Sequence, residues 1–551
     1  MLSVTALDFK SVLRTDVGKI AVILGICYVG LIASLFLFGI VDPSDGYYSE
    51  ASREMLERGD YSTPTLYYKP FYEKPIAIYW LVIASYKLFG VHEFAARLPS
   101  AFAAIICSLV VLKILRDLNL KRVGVLSALV LIGMPLYAIV GRLCLTDMLF
   151  SANFSIAILS LFAYSSGSKR HYLWLGYVTL AMAFLTKGPI AIVLGGLITA
   201  AYLCILASGP LRKFSVNQKD APWWHNWWRQ LWYLNPLVGI LIILAINLPW
   251  YLTENIRSHG AFFQEFFIRQ HLGRVTGHVN HQEPWYFYIP VLLAGTAPWQ
   301  FFLSGFLAPK RQILKRYTLR ADLAKLCIIW IVVVFGIFSA SVAKLPTYVE
   351  PAMVPSAILV AMGMEYLIRL RRAKQLRIIA ICICTLLLGS LIPLSLVHGL
   401  WNDYSDLIAI IISIVGFMAI SGFLMLREVN LSRFVYTLSA CYALGTTAGI
   451  ATILHGYDEL KSAPMRRLLV SVADTGGSIA TVMHPSPAAL FYSHKPIPLL
   501  GSTKDYYDYL AHSPAPHFVI TPVEVAPLIS VVCPGLVKIK QQGNWCLFQH
   551  L

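Results

Sequence analysis

The sequence predicts a polytopic α-helical membrane protein of about thirteen transmembrane helices, ending in a small extracytoplasmic α/β domain. Three observations carry this reading. Of 551 residues, 57% are hydrophobic and only 13% charged, whereas soluble domains carry about 25% charged residues. The mean hydropathy of +0.66 is held over the whole length, which excludes a soluble enzyme, a disordered chain and a small secreted module. Finally, apolar runs recur along the chain near the ~20 residues needed to cross ~30 Å of hydrocarbon.

Those runs fall at 19–40, 97–114, 123–140, 147–165, 171–186, 188–206, 235–253, 287–306, 326–343, 349–367, 376–397, 406–426 and 434–454. The first is too long for a cleaved signal and lacks a small-residue cleavage site, so it is expected to remain as an anchor. The stretch 75–90 is a fourteenth candidate, and charge decides against it. Lys10, Arg14 and Lys19 place the N-terminus inside. If 75–90 does not cross, the loops with Arg116/Lys121/Arg122, Lys169/Arg170, Arg212/Lys213, Lys310–Arg320 and Arg369–Lys374 all fall on the cytoplasmic side. If it crosses, all of them move outside, against the positive-inside rule. The stretch is therefore expected to lie along the outer interface as an amphipathic segment.

Thirteen crossings put the C-terminus outside. The expected division is 1–455 for the transmembrane domain, with a large first outer loop at 41–96, and 456–551 for the α/β domain. Within the latter, strands are expected near 479–483 and 518–521 and helices near 487–492 and 503–511. A closing hairpin, 536–540 with 545–548, should turn at Gln542-Gly543-Asn544. The net charge of +17 is spread in short clusters between apolar runs, the pattern of loops facing anionic lipid, so no nucleic-acid partner is expected. Ten cysteines make no disulfide framework at this length. Cys533 and Cys546, the two in the outer domain, are either bridged or simply packed. Without a Walker A or G-x-G-x-x-G sequence, no nucleotide cofactor is expected.

The placement of charge locates the chemistry. No Asp, Glu, Lys or Arg falls near the middle of the thirteen runs. Lys113, Asp147, Glu350, Glu365 and Arg377 stand at their ends. Transporters and pumps use such groups at the midplane, so a lipid or sugar transporter is the disfavoured reading. The polar residues gather on the outer side instead. The first outer loop carries seven acids and four bases between Asp42 and Lys74, with Tyr48–Leu56 readable as a short helix bearing Glu50, Arg53, Glu54 and Glu57. Ion pairs within that helix compete with a binding role for these residues. Asp45, in Pro43-Ser44-Asp45-Gly46, is either a turn residue or a catalytic carboxylate. Lys187, Asp147, Lys344 and Tyr348 stand at the outer ends of runs, and Lys187 either snorkels or binds an anion. His278 and His281 are either solvated or metal-binding. Several cations on one face suit an anionic headgroup or a phosphate.

Seven segments, in order, resemble one family: PSDGYYSEASREML (43–56), YEKPIAIYW (72–80), ARLPSA (96–101), GRLCLTD (141–147), LTKGPIA (185–191), WYFYIPVLLAGTAPW (285–299) and AKLPTYVEP (343–351). The chain is similar over about 15–365 to the bacterial GT-C glycosyltransferases of the ArnT and protein O-mannosyltransferase kind, and beyond that in architecture only. The resemblance implies a GT-C fold in the bacterial inner membrane, with active site and C-terminal domain periplasmic. It implies inverting transfer of a sugar from an undecaprenyl (polyprenyl) phosphate donor to an outer acceptor. Lipid A or another envelope glycolipid is the expected acceptor, a protein hydroxyl the alternative, and a monomer the expected state. It assigns the donor phosphate to Lys74 and Arg274, to which Arg53 and Lys187 are added. It assigns a divalent metal ion to Glu73 and His271. Asp45 is the expected catalytic residue, and Tyr48, Glu50, Tyr72, Asp147, Lys344 and Tyr348 are the expected substrate contacts. One departure stands out. The family carries Asp-Glu where this chain has Ser44-Asp45, so Asp45 is either the displaced catalytic acid or the counterpart of the second acid.

Overall fold

The computed structural model describes residues 16–208, 222–273, 283–307, 319–389, 398–473, 475–482 and 486–550. Among these, seven helices are long and apolar enough to cross a membrane, from Gly18–Phe36 to Leu431–Lys461, and an eighth span forms if a bent pair counts as one. The other runs of the expected thirteen are held by shorter or broken helices, among them Ile190–Ile205 and Ile408–Leu424, or reach beyond the described residues. The run at 123–140 splits into Lys121–Ile132 and Pro135–Val140, since proline disfavours helical backbone at the residue before it. The run at 287–306 bends by 95° between Tyr288–Gly295 and Trp299–Leu307. The run at 171–186 is the 17-residue helix His171–Lys187, and the stretch 390–397 lies outside the described residues.

Helix Ala77–Phe89 is the segment expected along the interface. Thirteen residues rise only about 20 Å, too little to span. Ala77, Ile78, Tyr79, Val82, Ile83 and Tyr86 are buried, whereas Trp80, Leu81, Leu88 and Phe89 are exposed, an apolar outer face suited to lipid.

The bent pair packs backbone to backbone on the last turns of Met353–Arg369. A Cβ built on Gly363 would stand 2.2 Å from the Phe302 carbonyl oxygen, and one on Gly305 would stand 2.3 Å from that of Gly363. Small residues permit such approach between membrane helices. Gly363→Ala is expected to destabilise by roughly 1–3 kcal/mol through overpacking, lowering the thermal midpoint in detergent by several degrees. Gly416→Ala, where the space is open, serves as the unchanged control.

In the first loop, helix Ser44–Arg58 ends at Gly59, whose φ of +66° and N–H bond to Leu56 close the last turn. A two-residue hairpin follows, β1 (Thr65–Leu66) with β2 (Lys69–Pro70). Tyr67 and Tyr68 take positive φ at its turn, held there because the Tyr68 N–H donates to Glu54 at 2.9 Å.

The C-terminal sheet has β3 (Ser478–Val482), β4 (Leu499–Leu500), β5 (His517–Pro522), β6 (Leu536–Gln542) and β7 (Trp545–His550) in the order β4-β3-β5-β7-β6. The first three are parallel, and β7 is antiparallel to both neighbours. Helices Pro487–Ser493 and Thr503–His512 connect the parallel strands. Strand β4 and helix Ala463–Ala473 were not expected. Cys533 and Cys546 are buried free thiols in one small core, and burial pushes the Cys533 thiol up to about 12.

Polar pairs tie this sheet to the outer loop. Asp42 accepts from the Ser486 hydroxyl at 2.6 Å and the Ala488 N–H at 2.9 Å, and burial pushes its carboxyl up to about 6. Tyr492 donates to Glu93 at 2.8 Å and accepts from the Ile40 N–H at 2.7 Å. Asp458 receives both Nη atoms of Arg466 and the Gly39 N–H. These bonds fix the base of the first outer loop.

Candidate active site

Two sequence motifs meet because their helices form an antiparallel hairpin. Asp147 lies in the first turn of Thr146–Ser165, and Lys187 ends His171–Lys187. An acid at a helix start and a base at a helix end each complement the helix dipole. The hairpin brings the two ends together, and Lys187 Nζ donates to Asp147 Oδ1 at 2.7 Å with both side chains nearly buried. The Lys187 ammonium also stands 5.0 Å from the ring centre of Tyr348 and 5.3 Å from that of Phe150, contacts that favour a desolvated cation.

Beside this pair a cavity of about 490 Å³ opens, lined by Glu73, Lys74, Lys187 and Tyr348 at its polar part. Its remaining wall is largely apolar, with Ile190, Val193, Phe266, Ile337 and Phe338 among the lining side chains. Lys74 and Lys187, with the Glu73 carboxylate beside them, thus stand over a greasy channel. That combination matches a ligand with an anionic head and a hydrocarbon tail. Lys74 Nζ bonds the Glu73 carbonyl at 3.1 Å. Ser341 closes one side of the cavity, and its carbonyl accepts from Lys344 at 2.5 Å, as does that of Glu283 at 2.8 Å. Lys344 therefore braces the cavity wall rather than pointing into it.

The first-loop residues are placed differently. Arg53 forms a fork to Glu50, 2.8 Å from Nε and 2.7 Å from Nη2, and reaches Glu57 at 2.8 Å. Burial pushes Glu50 up to about 7 against that pairing, while burial opposes the Arg53 charge and its Glu50 bonds hold it above the ordinary range. Arg53 and Glu50 are thus committed to their own helix, as i,i+3 neighbours, and are not among the residues lining the cavity. Tyr48 packs on Tyr79 at 5.9 Å. Tyr72 packs edge-on against Phe262, which stacks on the cavity residue Phe266, one ring layer from the channel.

Asp45 is 1% exposed. Arg97 donates to it from Nη2 at 2.5 Å and Nε at 3.2 Å, and the backbone N–H groups of Val41 and Cys144 donate at 3.0 Å and 2.7 Å. The same guanidinium holds the carbonyls of Leu35, Phe38 and Gly39. A carboxylate so occupied has no oxygen turned to an acceptor. The geometry supports the counterpart of the second acid, an anchor for the loop, over a group that meets substrate. Arg142 is likewise consumed by Ser34 and by the carbonyls of Ala138, Gly30 and Thr447.

Arg274, His278, His281 and the His271 side chain lie outside the described residues. Among the described residues no three His, Cys, Asp or Glu side chains gather to hold a metal. Glu73, one side chain of the expected metal pair, faces the cavity. Sequence reasoning missed Arg97, although it stands in the ARLPSA segment. It also missed Glu254, fully buried and bonded to Ser62 and Thr63. Glu350, fully buried, is a third omission; its oxygens find no hydrogen-bond partner among the described residues.

Comparison with known proteins agrees with this picture. Residues 24–256 match the family model of dolichyl-phosphate-mannose-protein mannosyltransferases. An undecaprenyl phosphate-α-4-amino-4-deoxy-L-arabinose arabinosyl transferase of Serratia proteamaculans is 30% identical over 348 residues, covering 62% of this chain and 58% of that protein. One from Pseudomonas aeruginosa (strain UCBPP-PA14) is 27% identical over 397 residues, covering 70% of this chain and 67% of that protein. The chain thus spans well under two thirds of the Serratia relative's length. In fold the likeness runs nearly end to end. The crystal structure of ArnT from Cupriavidus metallidurans bound to undecaprenyl phosphate superposes with a TM-score of 0.79, at 20% identity, over 98% of this chain and 99% of that one.

Proposed function

We propose that this chain, a member of the ArnT-like GT-C family, transfers a sugar from an undecaprenyl-phosphate carrier to a phosphate of lipid A on the periplasmic side of the bacterial inner membrane. The observation that carries the reading is the cavity with Lys74 and Lys187 at its head and apolar side chains along its wall. A polyprenyl chain suits the wall, and its phosphate suits the two ammonium groups. The relatives' names supply the carrier and the aminoarabinose-type sugar.

In the reaction the sugar C1–O bond breaks and the carrier phosphate leaves with the bonding electrons. An oxygen of the acceptor phosphate forms the new bond to C1 from the opposite face, which inverts the centre. Lys74 and Lys187 offset the charge that grows on the leaving phosphate, where fixed charges in a water-poor site act most strongly. Asp147 holds Lys187 in position through their 2.7 Å bond, and Tyr348 lies under the same ammonium. Glu73 borders the head of the cavity, and Tyr72 stands one ring layer behind its wall. Glu73 is also the one residue of the expected metal pair whose side chain is described.

The rival acceptor is a protein hydroxyl, which the mannosyltransferase family match favours. A hydroxyl needs a base to take its proton, and Asp45 is fully engaged by Arg97 and two amides. An already ionised phosphate needs none. Membranes containing the chain, given a synthetic undecaprenyl-phosphate aminopentose and lipid A, should add one sugar mass to lipid A without ATP or a sugar nucleotide. Transfer to a peptide with lipid A unmodified would replace this reading with protein glycosylation, and no transfer of any kind would overturn it.

A further inference from the structure

At the far end of the helices from the active site, a second cavity of about 430 Å³ is lined by Asn119, Lys121, Arg122, Arg320, Glu365 and Arg369. Helix Pro346–Arg369 links the two places. Tyr348 near its start faces the first cavity, and Glu365 and Arg369 near its end line the second. At 1.5 Å per residue they stand roughly 25–30 Å apart, the thickness of the hydrocarbon core.

The second cavity is built, not merely charged. Glu365 is 1% exposed. It accepts from Arg320 at 3.0 and 3.3 Å and from Arg369 at 3.0 and 2.8 Å. Each arginine spends Nε and Nη2 on this carboxylate, which leaves its Nη1 unclaimed by Glu365. Arg122, from helix Lys121–Ile132, pairs with no described carboxylate. Three guanidinium groups from three helices, Arg122, Arg320 and Arg369, thus face one acid in a small space, with Lys121 at its edge. Like charges gathered this closely repel unless an anion sits among them. A planar guanidinium fixed by a buried acid is preorganised to bind phosphate oxygens.

We propose that this cavity binds the phosphate headgroup of an anionic phospholipid in the leaflet opposite the active site, the cytoplasmic leaflet on the orientation given by the loop charges. Bound there, the headgroup joins the inner ends of helices Lys121–Ile132, Leu319–Ala340 and Pro346–Arg369. Basic pockets between membrane helices on the cytoplasmic side recognise lipid headgroups in this way. The assignment is independent of which sugar or acceptor the enzyme uses.

The test is native mass spectrometry of the full chain in detergent, titrated with phosphatidylglycerol or phosphatidylcholine. Phosphatidylglycerol adducts should dominate in the wild type. Arg122→Gln should lower their occupancy about fivefold, the effect of one surface cation, while Lys495→Gln, an exposed cation of the outer domain, should not. Arg122 supports no described ion pair, so its variant is expected to fold, and a thermal midpoint without added lipid checks this. Equal adducts with both lipids, or unchanged binding by Arg122→Gln, would overturn the proposal. So would inorganic phosphate raising the thermal midpoint as far as phosphatidylglycerol does, since that result would give the cavity to a soluble anion.

Discussion

Lys74→Ala and Lys187→Met are each expected to lower sugar transfer by roughly 30- to 1,000-fold, the loss of about 2–4 kcal/mol of stabilisation of a leaving phosphate in a desolvated site. The two substitutions should differ in character. Lys74 stands at the cavity head, bonded to a neighbouring carbonyl, so its removal takes away charge there. Lys187 is also the partner of Asp147, which is 8% exposed, so Lys187→Met leaves a buried carboxylate uncompensated and destabilises as well. A double variant separates the two roles. Lys187→Met with Asp147→Asn restores charge balance and should recover thermal stability, yet it should not recover transfer. If it does restore transfer, Lys187 only neutralises Asp147 and the phosphate is held elsewhere. The measurement is the initial rate with undecaprenyl-phosphate sugar, set against the thermal midpoint of each variant.

Lys187, Asp147 and Tyr348 stood out in the sequence because each stands at the end of an apolar run, and Lys74 because its segment resembles the family's. Hydropathy and loop charge fix that end without knowledge of the fold. What the sequence left open was the partner of each group. Arg53 read as a phosphate ligand because its cationic charge was visible, while its commitment to Glu50 and Glu57 needs side-chain geometry. Lys344 read as a substrate contact, yet two carbonyls claim it. Asp45 could not be assigned because Arg97, its partner, is 52 residues away. The number of separate helices differs from the number of apolar runs for a related reason. A sum over apolar residues cannot register that Pro135 stops one helix and starts another, or that the 95° bend at Gly295–Trp299 divides one run into two helices.

Asp45→Asn should therefore act on the fold before it acts on the chemistry. Breaking a buried ion pair by neutralising one partner costs about 3–5 kcal/mol, because the other charge stays buried. Here the remaining charge is Arg97, 0% exposed, whose other donors hold the carbonyls of Leu35, Phe38 and Gly39 at the entry to the first outer loop. The expected result is a large fall in thermal midpoint and in yield of folded protein. Transfer per folded molecule should fall because helix Ser44–Arg58 and the loop that carries Lys74 lose their anchor. Arg97→Gln should reproduce both losses. Since the two residues act as one unit, the double variant should be far less destabilised than the sum of the two. A catalytic carboxylate would give another pattern. Asp45→Asn would then keep the wild-type thermal midpoint and lose transfer, and Arg97→Gln would impair stability more than rate. If that second pattern is measured, Asp45 leaves its cradle during the reaction to meet the acceptor. A base would then be available, and a protein hydroxyl would regain its place as the acceptor.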